Sequence, residues 1–360
     1  GYRRGVIRPD ARLGWTDALH DEWTERGAVR TPARVTRLDR GWSTVARTHD
    51  DVTEGDEPLR VRNIGADVAV GDWVEIDEDD ERVEHVFERS SAFTRRASFD
   101  GMRAVAHTLA ANIDTVFLVH ALGAPPSPRR LERELVLAFD SGAEPVVVLT
   151  KNDLLDDPEP ARRALADVAL GVPVLLASGV TGDGIDRLRD RADGDRTLAF
   201  LGASGVGKST LVNALIGDEV QATTQVREGD HRGRHTTVAA ELLALPGEGW
   251  IIDTPGVRAV SLWLSGDGIE RAFADVFDLM DHCRFRDCKH DREPGCAVQA
   301  AIADGSLDAV RLEALERLVE EEAALEAEQE ARIKAADRRV GGKTIPDASE
   351  FDEVDEFDDV

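Results

Sequence analysis

The chain has 360 residues, with 44 lysines and arginines against 71 aspartates and glutamates, and a formal net charge of −27. This length predicts two or three domains, and no apolar run approaches the roughly 18 residues of a membrane span. We therefore expect a cytoplasmic protein with no membrane partner. So large a negative charge opposes general nucleic-acid binding, although local arginine clusters can still contact phosphates.

The N-terminal third is predicted to contain a small β-domain. After an N-terminal extension at 1–29, residues 30–90 carry short β-branched segments with period-2 alternation, separated by Gly and Asp. This pattern indicates a small antiparallel barrel or sandwich. Such barrels often bind oligonucleotides, but a purely structural role is equally compatible with the pattern.

From residue 91 the pattern changes to buried strands alternating with helices. Continuous apolar runs at 112–122, 145–150, 172–178, 196–202 and 250–256 predict an α/β fold with a mainly parallel, doubly wound sheet. We assign this domain to 91–262 and a helical domain to 263–340, with its last long helix between Leu307 and Arg339. The acidic tail at 341–360 is predicted to be disordered, because its carboxylates repel one another.

A phosphate-binding loop follows the apolar segment RTLAFL. The sequence GASGVGKS comes next and leads into the helical sequence STLVNALIG, which is the strand, loop and helix order of a P-loop. Glycines let backbone N–H groups turn toward the phosphates, a lysine neutralises phosphate oxygens, and a serine hydroxyl ligates Mg²⁺. Lys208 is therefore predicted to be catalytic and Ser209 to bind magnesium. The predicted phosphate-binding residues are Gly202, Ala203, Ser204, Gly205, Val206, Gly207, Lys208, Ser209 and Thr210.

Two further segments are typical of contacts to Mg²⁺ and the γ-phosphate. Asp253 and Gly256 belong to the turn DTPG after the apolar segment WII. There the carboxylate is predicted to reach Mg²⁺, and the glycine N–H to reach the γ-phosphate. The polar loop GRHTT supplies a threonine for Mg²⁺, and its position favours Thr237 over Thr236.

The residue that orients the attacking water is a separate question. Val257 follows Gly256, where many GTPases carry a glutamine, and valine cannot hydrogen-bond a water. Unassisted hydrolysis should therefore be slow. His235, directly before the two threonines, is the candidate for placing the water, and His231 is a weaker one.

Guanine recognition is predicted from the sequence TKND at 150–153. The carboxylate of Asp153 can accept hydrogen bonds from guanine N1–H and the 2-amino group, neither of which adenine offers. Lys151 would pack its stem along the ring, and a backbone N–H after Ser178 would reach guanine O6. The predicted guanine-binding residues are Thr150, Lys151, Asn152, Asp153, Ser178 and Gly179.

The motifs stand in an unusual order. In most GTPases the P-loop comes first and the base-recognition motifs come last, whereas here the base-recognition motifs precede the P-loop. Each motif ends a strand of one sheet, and ligands bind at the carboxyl ends of strands whatever the chain order. The sequence therefore predicts a circularly permuted GTPase domain.

The only three cysteines lie close together near the C-terminus. The spacing Cys283-x4-Cys288-x-His290-x5-Cys296 is typical of a closed structural zinc site with three thiolates and one imidazole. Four protein ligands leave no position for a reactive water. The adjacent His282 is interpreted as a solvent-facing or supporting residue.

Together these motifs resemble the ribosome small subunit-dependent GTPases, a family of circularly permuted bacterial GTPases with an N-terminal OB-fold and a C-terminal zinc domain. The resemblance covers roughly residues 30–335 and implies one structural zinc, Mg²⁺ with GTP, and binding of GTP and GDP. It further implies a monomer that binds the 30S subunit and its 16S rRNA, and that hydrolyses GTP there as a checkpoint late in subunit maturation. Candidate RNA contacts in this acidic chain are Arg34, Arg37, Arg40, Arg227, Arg232, Arg234, Arg284, Arg286, Lys289 and Arg292.

Two alternatives remain open at this stage. GTP could be a structural ligand or binding switch with incidental turnover, although intact Lys208, Ser209, Thr237 and Asp253 argue against that reading. Alternatively, a permuted GTP-binding protein could act on the large subunit or another RNA, which the order of barrel, GTPase and cysteine cluster disfavours.

Overall fold

A computed structural model describes residues 13–39, 41–47, 59–96, 106–169, 171–217, 240–253 and 266–340. Its strands are β1 (Thr31–Asp39), β2 (Trp42–Arg47), β3 (Leu59–Arg62), β4 (Trp73–Asp77), β5 (Arg82–Val86), β6 (Ala92–Arg96), β7 (Ala106–Ala111), β8 (Thr115–Ala121), β9 (Glu144–Thr150), β10 (Val174–Ala177), β11 (Thr197–Gly202), β12 (Glu241–Ala244) and β13 (Trp250–Asp253). Its helices are α1 (Asp17–Glu25), α2 (Pro128–Asp140), α3 (Glu159–Ala166), α4 (Ile185–Arg189), α5 (Lys208–Ile216), α6 (Gly266–Ala272), α7 (Ala274–Met280), α8 (Ala297–Asp304) and α9 (Ala309–Val340). Within these ranges no helix is both long and apolar enough to cross a membrane.

The first five strands close into a barrel. Their order is β1-β2-β3-β5-β4, and β4 pairs back onto β1. β3 and β5 run parallel while the other pairs are antiparallel. Small and β-branched side chains fill the interior, among them Ala33, Val35, Val45, Val61 and Val74. This closed five-stranded arrangement is the OB-fold that the resemblance implied.

The second part is a parallel α/β sheet. Its strand order is β10-β9-β8-β11-β13, all parallel, with β12 antiparallel to β13. Alternate residues of β8 and β11 enter different cores: Leu118 and Leu201 lie on one face, whereas Phe117 and Phe200 lie on the other. Because both faces are buried, these strands are continuous apolar runs, as the sequence predicted. β9 and β10 precede β11 in the chain but end at the same edge, which is the circular permutation.

The barrel and the parallel sheet are joined through β12. Arg37 of β1 pairs with Glu241 of β12, so one eleven-stranded sheet runs from β10 to β4. A short hairpin of β6 and β7 follows the barrel and leads into β8. The β-domain therefore packs against the side of the α/β sheet nearest β13.

The C-terminal helices share a core with the α/β sheet. Apolar residues of α2, α6, α8 and α9 pack in one cluster with the β8 and β9 side chains, including Leu135, Ile269, Val298 and Leu315. At the surface of this contact, Arg317 on α9 donates to Glu132 on α2 at 2.9 Å. Residue 262 is the predicted boundary between the second and third domains. The helices that follow it continue the core of the α/β sheet.

Candidate functional site

The P-loop lies between β11 and α5, as the sequence predicted. Gly202, Gly205 and Gly207 have positive φ values of 155°, 79° and 106°. A Cβ atom on Gly202 would overlap the carbonyl oxygen of Val119 on the neighbouring strand, so the first glycine is required for strand packing as well as for the turn. The Lys208 Nζ donates to the carbonyl oxygens of Gly202 at 2.9 Å and Ala203 at 2.8 Å. The amine is therefore held across the concave side of the loop.

The TKND turn docks directly on the P-loop. The Thr150 hydroxyl hydrogen-bonds the Val206 carbonyl oxygen, and the Lys151 Nζ donates to the Gly205 carbonyl oxygen at 3.0 Å. Lys151 itself adopts a left-handed backbone conformation at φ 62°. Asp153 is exposed at the end of this turn, so its carboxylate is accessible to a ligand.

The loop after β10 completes this edge. Ser178 is 1% exposed and its Oγ accepts from the backbone N–H groups of Val180 and Thr181, both at 3.2 Å. A Cβ on Gly179 would lie 2.6 Å from the Thr210 carbonyl oxygen on α5, which is too close for any larger residue. The structure thus brings the P-loop, the TKND turn and the Ser178–Gly179 loop together at the carboxyl ends of β11, β9 and β10, with β8 between β11 and β9.

Asp253 ends β13, two strands along from β8. Burial and, to a smaller extent, nearby Glu241 raise the pKa of its carboxyl group to about 6, although Lys208 partly offsets the rise. The influence of Lys208 places this carboxylate near the P-loop lysine. A partly buried, electrostatically disfavoured carboxylate at this point is well suited to a divalent cation.

Several predicted residues fall outside the described ranges. They are Thr236 and Thr237, His231 and His235, Gly256 with its neighbour Val257, the candidate RNA contacts Arg40, Arg227, Arg232 and Arg234, and the acidic tail at 341–360. Their assignments rest on the sequence.

The four predicted zinc ligands are brought together. Atoms able to ligate a metal on Cys283, Cys288, His290 and Cys296 all lie within 4.8 Å of one another. The His290 Nδ1 lies 3.6 Å from the sulfurs of Cys283 and Cys296, which are themselves 3.9 Å apart. A tetrahedral zinc with ordinary bond lengths requires sulfur–sulfur separations of about 3.8 Å and nitrogen–sulfur separations of about 3.6 Å. The donor set and its spacing therefore fit zinc.

The surroundings of the cluster also favour a bound cation. Partial burial and the thiols of Cys283 and Cys296 raise the pKa of Cys288 to about 11, so the Cys288 thiolate needs a nearby cation to form at neutral pH. Backbone N–H groups of Ala297 and Gln299 point at the sulfurs of Cys283 and Cys296, both at 3.4 Å. His282 lies outside the cluster, with its Nδ1 2.7 Å from the Asp278 carbonyl oxygen, in keeping with the role predicted for it.

Comparison with known proteins identifies the family. A sequence model of the RsgA GTPase family matches residues 86–263. The small ribosomal subunit biogenesis GTPase RsgA of Streptomyces coelicolor is 41% identical over 339 residues, covering 91% of this chain and 90% of that protein. The chain belongs to the RsgA GTPase family. It is accordingly a GTP hydrolase.

Two solved structures show the same architecture as this RsgA-family chain. YjeQ from Thermotoga maritima superposes with a TM-score of 0.60 at 27% identity, covering 82% of this chain and 99% of that one. YloQ, described as a circularly permuted GTPase, superposes with a TM-score of 0.57 at 25% identity, covering 82% and 96%. The predicted permuted fold is thereby confirmed.

One predicted RNA contact of this RsgA-family chain is wrong. Arg34 is 1% exposed and donates to the Thr197 hydroxyl at 2.7 Å and to the Leu13 carbonyl oxygen. The period-2 pattern of the barrel strands predicts a surface position for this side chain. Residues 32–36 are all buried, since the outer face of β1 is covered by the junction with the α/β sheet. In contrast, Arg284, Arg286, Lys289 and Arg292 around the cysteine cluster are exposed, as expected.

The sequence reasoning missed Asp183. Its carboxylate accepts a hydrogen bond from the Asn152 side-chain amide, and its carbonyl oxygen accepts from the Ser178 N–H at 2.9 Å. The signal available in the sequence was only the pair of glycines that flank it, Gly182 and Gly184. Nothing in the one-dimensional pattern relates this loop to Asn152, which lies on another strand end.

Proposed function

We propose that this chain is a GTPase that acts in the cytoplasm on the small (30S) ribosomal subunit during late maturation. It would work as a monomer, binding in its GTP form and leaving after hydrolysis. The observation that carries the proposal is the 41% identity across nine-tenths of both chains to a protein named for small-subunit biogenesis. The fold supports it, because a β-barrel and a Cys/His-containing helical region flank the nucleotide loops.

In this function each loop at the carboxyl ends of the strands binds a different part of the nucleotide. Asp153 and the Gly179 N–H recognise guanine, Lys151 covers its ring, and the P-loop surrounds the phosphates. Mg²⁺ would be held by Ser209, Thr237 and Asp253. Support comes from the docking of the TKND turn on the P-loop through Thr150 and Lys151, because base and phosphate sites must be adjacent for one nucleotide to fill both.

For hydrolysis we assign the neutralisation of the phosphate oxygens to Lys208 and the placement of the attacking water to His235. Gly256 is assigned the contact with the γ-phosphate. His235 is chosen because Val257 cannot orient water. The His235→Ala variant is expected to lose most of its 30S-stimulated turnover while binding GDP normally. Full stimulated activity in this variant would exclude His235 from that role.

The surface offered to 16S rRNA includes the basic residues around the cysteine cluster. Arg284 stacks over the exposed Phe285 ring at 5.4 Å, and Arg286, Lys289 and Arg292 are exposed nearby. This combination of cations and an aromatic ring is suited to phosphates and unpaired bases. Four acidic residues of the same segment, Asp281, Asp287, Asp291 and Glu293, balance these cations, so the segment is near neutral in a chain whose net charge is −27.

The deciding experiment is GTP hydrolysis measured at fixed salt with no ribosome, with 30S subunits and with 50S subunits. Strong stimulation by 30S alone is expected. Stimulation by 50S instead, or by neither, would contradict the proposed partner. A companion binding assay should show tighter 30S binding with a non-hydrolysable GTP analogue than with GDP, and equal affinities would contradict the switch.

A further inference from the structure

The TKND turn is held from two sides. On one side Lys151 reaches the P-loop through its bond to the Gly205 carbonyl oxygen. On the other, Asn152 is only 8% exposed and its side-chain amide donates to the carboxylate of Asp183. Since Lys151 has a left-handed backbone at φ 62°, a conformation unfavourable for a side chain with a Cβ, the turn depends on such anchors to keep its shape.

Asp183 is itself rigidly placed. Its carbonyl oxygen accepts from the Ser178 N–H at 2.9 Å, and the Gly182 N–H donates to the Ser178 carbonyl oxygen at 2.9 Å. A Cβ on Gly184 would overlap the Leu176 carbonyl oxygen, so the loop folds back tightly on the end of β10. The side chain of Asp183 therefore spans a fixed distance between the two guanine-facing loops.

The chemistry of this contact also orients the amide of Asn152. A carboxylate only accepts hydrogen bonds, so the NH₂ group of Asn152 must face it and the Oδ1 atom must face away. Within the described residues that Oδ1 is buried and has no hydrogen-bond partner. An amide fixed in one orientation keeps the next residue, Asp153, in a defined position.

We propose that Asp183 is a positioning residue for guanine selectivity: by holding the Asn152 amide it fixes the Asp153 carboxylate relative to the Gly179 N–H. The inference rests on the guanine site described under the proposed function. Asp183 does not touch the base in this role. Its effect is on how well the Asp153 carboxylate is placed to accept from N1–H and the 2-amino group.

The test measures affinities of the full chain for GDP, IDP and ADP by competition against a fluorescent GDP. IDP lacks the 2-amino group, so its binding depends less on the placement of Asp153. Asp183→Ala is expected to weaken GDP binding about tenfold and to lower the ratio of GDP to IDP affinity. Asp183→Asn keeps an acceptor oxygen but leaves the amide orientation free, so its loss should lie between wild type and Asp183→Ala.

The matched control is Asp186→Ala. The Asp186 side chain is 93% exposed and lies 3.4 Å from Arg189. The variant removes the same charge three residues away, and its GDP affinity is expected to change less than twofold. A second check uses the double variant. In an Asn152→Ala background, adding Asp183→Ala should weaken GDP binding little further, because both residues act through one contact. Melting temperatures without nucleotide identify any variant that is merely unfolded. If Asp183→Ala is unfolded, the GDP and IDP affinities of Asp183→Asn are compared with wild type instead.

The inference is overturned if both Asp183 variants bind GDP within twofold of wild type. It is also overturned if GDP and IDP affinities fall by the same factor, since that would indicate a structural role only. If the wild-type chain shows no preference for GDP over ADP, the guanine site itself is wrong, and this outcome is distinct from a failure at Asp183.

Discussion

Arg34 is a buried cation that joins separate parts of the chain. Its guanidinium donates to carbonyl oxygens of Leu13, Gly71 and Asn112 and to the Thr197 hydroxyl, and it lies 5.6 Å from the Trp73 ring centre. Burial lowers its pKa to about 10, although Asp114 and Asp72 oppose this shift. One side chain thus links the N-terminal segment, the barrel and the α/β sheet.

We predict that Arg34→Ala lowers the free energy of unfolding by about 3 kcal/mol, because four acceptors lose their donor in a buried site. Urea denaturation measures the change. The control is Arg37→Ala on the same strand, whose side chain is 46% exposed and lies 3.7 Å from Asp39, with an expected loss below about 0.5 kcal/mol. Equal losses for the two variants would contradict the structural role of Arg34.

Asp253 should oppose stability and favour metal binding at the same time. Its pKa of about 6 in the folded chain lies above the ordinary value of 3.8, so the folded state binds the proton more tightly. Ionisation above pH 6 therefore disfavours folding, and this penalty is relieved as the pH falls from 6 toward 4. The ionised carboxylate is nevertheless the form that attracts Mg²⁺.

We accordingly predict opposite effects of Asp253→Asn. Without nucleotide the variant should melt at a higher temperature than wild type at pH 7.5, and the difference should shrink at pH 5. Its Mg²⁺ affinity in the GDP complex should be lower than wild type at pH 7.5, and this difference should also shrink at pH 5. A constant difference at both pH values would show that Asp253 does not titrate in this range.

Among the strands and helices, those that are buried on both faces were predicted correctly from the sequence. The strands β8, β9 and β11 are covered on both faces, so their apolar runs mark them directly. The strand β12 and the helix α1 were not predicted, because each is short and only partly buried: Glu241 at the start of β12 is exposed, and Leu19 is the one buried residue of α1. Contacts between loops, such as Asn152 with Asp183, are set by the sheet and have no local sequence signal.

The metal cluster is predicted to stabilise the helix that follows it. Cys296 caps α8, and Val298 and Ala301 of that helix enter the main core. Purified chain should contain one zinc, and Cys288→Ser should lose it and show faster hydrogen exchange in α8. His282→Ala, which changes an exposed neighbour, should keep both the metal and the protection. Zinc retained by Cys288→Ser at full occupancy would contradict the assigned ligand set.

Over the whole molecule, the nucleotide loops are physically connected to both flanking parts. The sheet that carries the P-loop continues through β12 into β1 of the barrel, and the core beneath β8 continues into α6, α8 and α9. The motif order indicated which parts flank the GTPase, but the shared sheet and shared core were not visible in the sequence. They arise from pairings between residues such as Arg37 and Glu241, far apart in the chain.

The net charge of −27 predicts opposite salt dependences for folding and for ribosome binding. Like charges repel within the folded chain, and this repulsion reaches about 30 Å at 0.01 M salt but only about 8 Å at 0.15 M. The melting temperature should therefore rise with salt over this range. Binding to 30S should weaken over the same range, because contacts of arginine with phosphate release counterions. A chain ending at residue 346 lacks eight carboxylates of the tail and should show a smaller rise in melting temperature. If 30S binding strengthened with salt, contacts to phosphate would not dominate the interface, and the basic side chains around the cysteine cluster would not anchor it.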